Sequence, residues 1–172
     1  MNSKSFTLVE LLVVTGIIVF LTALTLPNYR FGDRHLALQR SAHKMAQSLR
    51  MAQEYAISAK ASDGVVPAGY GMYFDLDVPT LYILFADLNG DQRYSSVNEK
   101  VEEINLETDI SLVTLNPIAP GSSLTIVFIP PDPTIVFYPD ASSVTVTLKT
   151  NGAEAPVSKN IRINKAGLIA VE

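Results

Sequence analysis

Oxygen-bearing side chains alternate along one short segment of the chain, at Asp87, Asn89 and Asp91. This spacing resembles the opening of a calcium-binding loop, whose ligands come from every second residue. Two features depart from that loop: Gln92 stands where it has glycine, and Glu99 comes one residue after its final glutamate position. Asn-Gly-Asp is also strong turn chemistry between two strands. We predict no bound cofactor, and these three residues remain candidate calcium ligands.

The other residue types that catalyse reactions are sparse or poorly spaced. The chain has no cysteine, which excludes disulfides, thiolate metal sites and cysteine nucleophiles. His35 and His43 are eight residues apart, so they do not form the closely spaced histidine pair of a helical zinc site. No Gly-x-Ser-x-Gly segment provides a serine nucleophile. We therefore predict no catalytic residues and no enzymatic activity.

The charge of the chain does not favour a nucleic-acid partner. The formal net charge at pH 7 is −4, and no long basic block interrupts the sequence. Lys159, Arg162 and Lys165 form a small basic group near the C-terminus, which is weak support for binding a polyanion. Nucleic acid is therefore not an expected partner.

A single carboxylate, Glu10, lies inside a long apolar segment, residues 6–26. As a helix, these 21 residues would reach about 32 Å, enough to cross the hydrocarbon core of a bilayer. A carboxylate in such a segment costs about a few kcal/mol at mid-membrane and less near an end. A simple anchor has no use for this group, so Glu10 indicates that the segment has a second role.

An amphipathic helix is predicted after this apolar segment. Apolar residues recur at steps of three and four, and no Gly or Pro interrupts residues 33–63. Pro27 lies where the two segments meet and predicts a kink. The apolar stripe consists of Leu38, Ala42, Met45, Leu49, Ala52, Ala56 and Ala59.

Beyond residue 63 the pattern changes to short aromatic and β-branched runs bounded by turn residues, which is typical of strands. The predicted strands are 70–75, 80–87, 101–106, 110–115, 124–129, 134–138, 144–149, 160–164 and 168–171. A helix with one apolar stripe and a sheet with one apolar face can bury these surfaces against each other. The sequence therefore predicts an α+β fold, with a long N-terminal helix, half membrane-embedded and half amphipathic, packed on an antiparallel sheet.

The predicted organisation has four parts. Residues 1–5 are a leader, residues 6–26 a transmembrane or filament-core helix, residues 27–62 an amphipathic continuation of that helix, and residues 63–172 a β-rich globular domain.

Residues 5–11, with sequence SFTLVEL, resemble the prepilin motif of type IV pilins and type II secretion pseudopilins. Pro27 falls where many members of that family have a helix-bending proline. The family usually has Gly before the Phe, and here the small residue is Ser5. The resemblance implies a pilin-like fold, cleavage between Ser5 and Phe6 by a membrane peptidase, and methylation of the new Phe6 amino group. It also implies that Glu10 pairs with the Phe6 amino group of a neighbouring subunit and sets the register of assembly.

A second, shorter resemblance lies in the β-rich region. Residues 85–91, FADLNGD, followed by an acidic stretch at residue 99, are similar to the central region of H-type minor pseudopilins. An Asp- and Asn-rich turn joins two strands in those proteins. This similarity agrees with the one at the N-terminus.

The resemblance implies a structural subunit, a minor pilin or pseudopilin, assembled into a type IV pilus-like or type II secretion filament. Its partners would be other subunits, contacted through the N-terminal helix, the prepilin peptidase and methylase, and the inner-membrane platform. The implied location is the cytoplasmic membrane, with a single pass and the C-terminal domain outside, and later a filament at the cell surface or in the periplasm.

Other interpretations of the same residues stay open. The apolar segment is also compatible with an uncleaved anchor that holds a non-polymerising extracytoplasmic binding module. A removed signal peptide is a third interpretation, although the apolar core exceeds the usual 7–15 residues, roughly, and no clear Ala-x-Ala site follows. A calcium-dependent adhesin or tip subunit would make use of the Asp87 segment.

Overall fold

The computed structural model of the chain describes residues 7–130, 134–152 and 156–172, apart from the side chains of residues 25–31. In this part of the chain, one helix, α1 (Leu8–Ile57), precedes nine strands. The strands are β1 Gly69–Asp75, β2 Leu81–Asp87, β3 Lys100–Asn105, β4 Ile110–Asn116, β5 Ser123–Ile129, β6 Thr134–Tyr138, β7 Ser143–Thr150, β8 Ser158–Asn164 and β9 Ile169–Val171. A 3-10 turn, Val97–Glu99, lies between β2 and β3.

The strands form two antiparallel sheets. The five-stranded sheet has the order β3-β2-β1-β5-β6, and the four-stranded sheet has the order β4-β7-β8-β9. In the first, β1 pairs with its neighbour β2 and with the distant β5. In the second, β7 pairs with β4 and β8. Each sheet therefore contains a pairing between two strands that are far apart in sequence.

The alternating pattern of the strands decides which side chains enter the core. In β7, Val144, Val146 and Leu148 are fully buried, while the residues between them are half-buried. Successive side chains of a strand point to opposite faces, so this alternation turns one face of the sheet inward. Strands were predicted close to each of the nine observed positions, and the alternation predicted for 144–149 is confirmed.

The second half of α1 covers the two sheets. Its buried side chains lie between Ala37 and Ala56, and the helix contacts strands of both sheets. The first six residues of the predicted stripe are buried, which confirms them as core positions. Ala59 is exposed beyond the helix end at Ile57, and its φ of 46° is incompatible with a continued helix.

The predicted fold class, a long N-terminal helix, half membrane-embedded and half amphipathic, packed on an antiparallel sheet, is wrong. The described strands form two sheets, and residues 8–24 of α1 are exposed instead of packed on either. The physical reason is that residue patterns specify strands and buried faces but not which strands pair.

The predicted membrane-spanning helix and single-pass membrane location are also wrong. Within the described residues, no helix has both the length and the apolar character needed to cross a membrane. The prediction was based on apolar residues 6–26, of which the structure describes side chains only from residue 7 to residue 24.

Candidate functional site

The N-terminal part of α1 begins at a capped end. Thr7 is the N-cap, with extended backbone angles of φ −81° and ψ 149°. Its side-chain oxygen accepts a hydrogen bond from the Glu10 backbone N–H at 3.2 Å. A hydroxyl at this position satisfies one of the free N–H groups of the first turn. The order Thr-x-x-Glu is therefore a helix-start signal, and this helix start was not predicted.

Glu10 has a local structural role that its apolar surroundings concealed. It lies in the first turn of α1, where a negative charge interacts favourably with the helix dipole. The Thr7 hydroxyl donates to Glu10 Oε2 across 3.4 Å. The carboxylate is exposed and makes no ion pair with any residue that the structure describes. Its charge is thus placed by the helix start but is not compensated by a cation there.

Residues 8–24 expose apolar side chains on all sides of the helix. Leu8 is 79% exposed, and Leu12 and Phe20 are each 65% exposed. A helix that is apolar all round is normally buried, because its surface cannot be hydrated favourably. The large exposed residues are Leu8, Val9, Leu11, Leu12, Val13, Val14, Ile17, Ile18, Val19, Phe20, Leu21 and Leu24. This segment, named here the apolar helix surface, finds no cover in the described part of the molecule.

The polar groups of the apolar helix surface do not interrupt it. The Thr15 hydroxyl donates to the Leu11 carbonyl oxygen at 3.0 Å, and the Thr22 hydroxyl donates to the Ile18 carbonyl oxygen at 2.7 Å. Both hydroxyls therefore bond to their own helix. A Cβ built on Gly16 would meet nothing within 4 Å, so this glycine has no packing role inside the domain. A small residue in an exposed helix permits close approach of a second helix.

Two of the predicted processing and kink positions lie outside the described residues, and the side chain of the third is not described. Ser5 and Phe6, the predicted cleavage and methylation residues, precede the first described residue. Pro27 lies within α1, but its side chain is among those that are not described. Cleavage, methylation and the kink therefore stay predictions.

The predicted calcium candidates lie in the connection between β2 and β3. Asp87 is the last residue of β2 and is 1% exposed. Its Oδ1 accepts from the Gly90 N–H at 2.7 Å and its Oδ2 from the Gln92 N–H at 3.0 Å. Burial raises the pKa of the Asp87 carboxyl, and the nearby Asp91 charge adds to that rise, while the two backbone hydrogen bonds oppose it.

Asn89 organises the turn and directs Asp91. The Asn89 Oδ1 accepts from the Asp91 N–H at 2.9 Å. Its Nδ2 donates to Asp91 Oδ2 at 3.2 Å and to Ser95 Oγ at 2.8 Å. The Asp91 Oδ1 accepts from the Arg93 N–H at 2.8 Å. The Asn89 oxygen and both Asp91 oxygens therefore accept hydrogen bonds within the turn, and the Asp91 carboxylate is exposed.

Glu99 completes the group, although it was considered only as a poorly placed extra ligand. It is 3% exposed, and its Oε2 accepts from the N–H groups of Ser95 and Ser96 at 2.9 and 3.2 Å and from the Ser95 hydroxyl at 3.2 Å. Ser96 and Glu99 form a capping box around the 3-10 turn. The Ser-x-x-Glu order was the sequence signal that turns Glu99 back toward the connection.

One carboxylate oxygen from each of Asp87, Asp91 and Glu99 lies within 4.8 Å of the other two. These three residues are named here the carboxylate cluster. Two of the three sequence candidates, Asp87 and Asp91, are thus brought together with Glu99.

The residues considered for other chemistry remain scattered. His35 is half-buried with its Nδ1 lacking a hydrogen-bond partner in the described structure, and His43 is exposed. In the basic group, the Lys165 ammonium pairs with an Asp140 carboxylate oxygen at 2.7 Å, and Arg162 is exposed.

Comparison of the chain with protein-family models, with curated proteins and with solved structures found no match. The prepilin resemblance therefore has no support from known relatives and rests on the residues of this sequence alone.

Proposed function

We propose that this chain is a filament subunit of the pilin type, which assembles through the apolar helix surface. The observation that carries the proposal is the exposure of every side chain from residue 8 to residue 24, in a segment that is almost wholly apolar. An exposed patch of this extent normally marks an interaction site, because monomeric proteins keep such patches small.

The occupant that fits this surface is the N-terminal helix of another subunit with the same apolar pattern. Burying one Leu or Phe side chain stabilises an assembly by roughly 1.5–3 kcal/mol. Leu8, Leu12 and Phe20 are among many residues that would contribute such terms. Gly16, open on its outer side, would let two helices approach closely.

Glu10 gives this packing a register. Inside a bundle of apolar helices its carboxylate would leave water, which is costly unless a cation compensates it. Cleavage between Ser5 and Phe6 would create an α-amino group on Phe6 that meets Glu10 of the neighbouring subunit. A buried polar contact of this kind favours one stagger of the helices over others, as a buried polar residue does in coiled coils.

The local role of Glu10 in the helix start offers a second explanation, and one substitution separates the two. Glu10→Gln keeps a hydrogen-bonding side chain for the cap but removes the charge. We expect Glu10→Gln to fold normally and to enter filaments poorly in the native cell. Thr7→Ala is the matched control, because it removes the cap and leaves the charge, and it should assemble.

Assembly is measured by crosslinking, with a photo-crosslinking residue in place of Leu12 in the apolar helix surface. Crosslinked peptides identified by mass spectrometry should come from the N-terminal helices of other subunits, and Glu10→Gln should reduce them at least tenfold. Equal crosslinking in the two backgrounds would assign Glu10 to the helix cap alone and overturn the register role.

A further inference from the structure

The carboxylate cluster brings three acidic groups together at a largely buried place. Asp87 and Glu99 are almost fully buried, and Asp91 lies at the exposed side. Three carboxylates this close repel one another, and the repulsion grows as water is excluded. No Lys or Arg side chain is recorded in an ion pair with any of them in the described structure.

One oxygen of the cluster lacks a partner. Glu99 Oε1 is buried and accepts no hydrogen bond within the part of the chain that the structure describes. The other oxygen, Oε2, is held by donors from Ser95 and Ser96, so the carboxylate cannot turn without losing them. A buried carboxylate oxygen without a donor costs free energy, and a bound cation would remove that cost.

The connection that carries the cluster is held in place by aromatic contacts. The Tyr94 ring lies 5.2 Å from the Tyr73 ring and 5.6 Å from the Phe85 ring, measured between centroids. The Arg93 guanidinium lies 3.6 Å from the centroid of the Tyr138 ring. These contacts tie residues 93–94 to β1, β2 and β6, so the cluster is shaped before any ligand arrives.

We propose that Asp87, Asp91 and Glu99 bind a calcium ion. Calcium takes six to eight oxygen ligands, roughly, and tolerates irregular geometry that mixes carboxylates with water. Two buried carboxylates and one exposed carboxylate provide an inner wall and an open side, through which the ion enters and keeps water ligands. The site is distinct from the apolar helix surface, so this inference stands apart from the proposed filament function.

Titration of the full chain with calcium, in a mild detergent, tests the site. Isothermal titration should give one calcium per chain, and the melting temperature should rise by about 5–10 °C when calcium exceeds its dissociation constant a hundredfold. Magnesium at the same concentration should give a much smaller rise, because it demands stricter octahedral geometry. No calcium-dependent shift at 5 mM, a concentration above the dissociation constant of roughly 1 mM at the weak end of protein calcium sites, would overturn the proposal. An equal shift with magnesium would overturn the assignment to calcium.

Two substitutions remove ligands while preserving the turn. Glu99→Gln keeps one oxygen for the Ser95 and Ser96 donors and replaces the unpartnered oxygen with an amide NH₂. Asp91→Asn keeps an acceptor for the Arg93 N–H at an exposed position, so it tests the site without changing a buried group. Each should weaken calcium binding at least tenfold.

Glu54→Gln is the matched control, because it removes the same charge from an exposed position of α1. It should bind calcium as the unaltered chain does. Without calcium, Glu99→Gln should be at least as stable as the parent, since the repulsion in the cluster falls. Unchanged calcium affinity in both Glu99→Gln and Asp91→Asn would refute the assigned ligands.

Discussion

Tyr82 makes the stability of the core depend on alkaline pH. It lies in β2, is 1% exposed, and its hydroxyl is 3.3 Å from Ser48 Oγ on α1. Burial raises the pKa of Tyr82 to about 12 from its ordinary value of 10.0, although the Ser48 hydrogen bond opposes the rise. The folded protein therefore holds the phenol proton more tightly than the unfolded chain does.

The sign of the effect follows from this difference. Below pH 10 the phenol is protonated in both states, and its contribution to stability is fully present. Above pH 10 the unfolded chain loses the proton first, so stability falls until the folded-state pKa near 12 is passed. From these two values, the loss at pH 11 is about 1.4 kcal/mol, since one pKa unit corresponds to about 1.36 kcal/mol.

Urea unfolding of the parent chain and Tyr82→Phe at pH 8 and pH 11 measures this term. At pH 8, Tyr82→Phe should be less stable by about 1 kcal/mol, because it loses the hydrogen bond to Ser48. At pH 11 this gap should close or reverse, since only the parent carries the titrating phenol. Tyr94→Phe, at a half-buried position, controls for other alkaline effects. If the stability difference between the parent and Tyr82→Phe is the same at both pH values, ionisation of Tyr82 does not cause the alkaline loss of stability.

Two further pairs of substitutions test how the helix and the sheets pack. Leu49→Ala, at a fully buried position of α1, should lower the free energy of unfolding by about 2–5 kcal/mol, whereas Leu12→Ala on the exposed segment should change it by less than about 0.5 kcal/mol. Gly71→Ala should destabilise by about 1–3 kcal/mol, because its Cβ would lie 2.5 Å from the Ile126 carbonyl oxygen, while Gly16→Ala meets nothing within 4 Å. Urea unfolding measures the free energy of unfolding of each variant. A Leu49→Ala or Gly71→Ala variant as stable as the parent would contradict the packing described.

The strands were predictable because their signal is local. Alternation of Val144, Val146 and Leu148 with threonines identifies both the strand and its buried face within a few residues. The same holds for the stripe of α1, where spacing alone places Leu38 and Leu49 in the core.

Pairing between strands far apart in sequence was not predictable from these patterns. The pairing of β1 with β5 joins Tyr70 to Phe128, and the pairing of β4 with β7 joins Ile110 to Thr150. Such contacts depend on the whole set of strands competing for partners, and no single segment carries that information. For this reason one sheet was predicted where two are formed.

The candidate metal site was predicted in part. Alternate spacing identified Asp87 and Asp91, but it also selected Asn89, whose oxygen is used by the Asp91 N–H. Counting positions against a calcium loop placed Glu99 one residue too late. The 3-10 turn nevertheless places Glu99 near Asp87 and Asp91, because the capping box with Ser96 holds the Glu99 side chain toward the connection.

The proposal that the apolar helix surface packs against other subunits is tested most directly by the photo-crosslinking residue at position 12, with the chain in its native cell. We expect adducts whose peptides map to the apolar N-terminal helices of neighbouring subunits. A matched crosslinker at Glu54, on the exposed face of the packed half of α1, should give far fewer of them. If position 12 gives no adduct, or gives adducts only with β-strands of the same chain, the proposed packing of the apolar helix surface against other subunits is wrong.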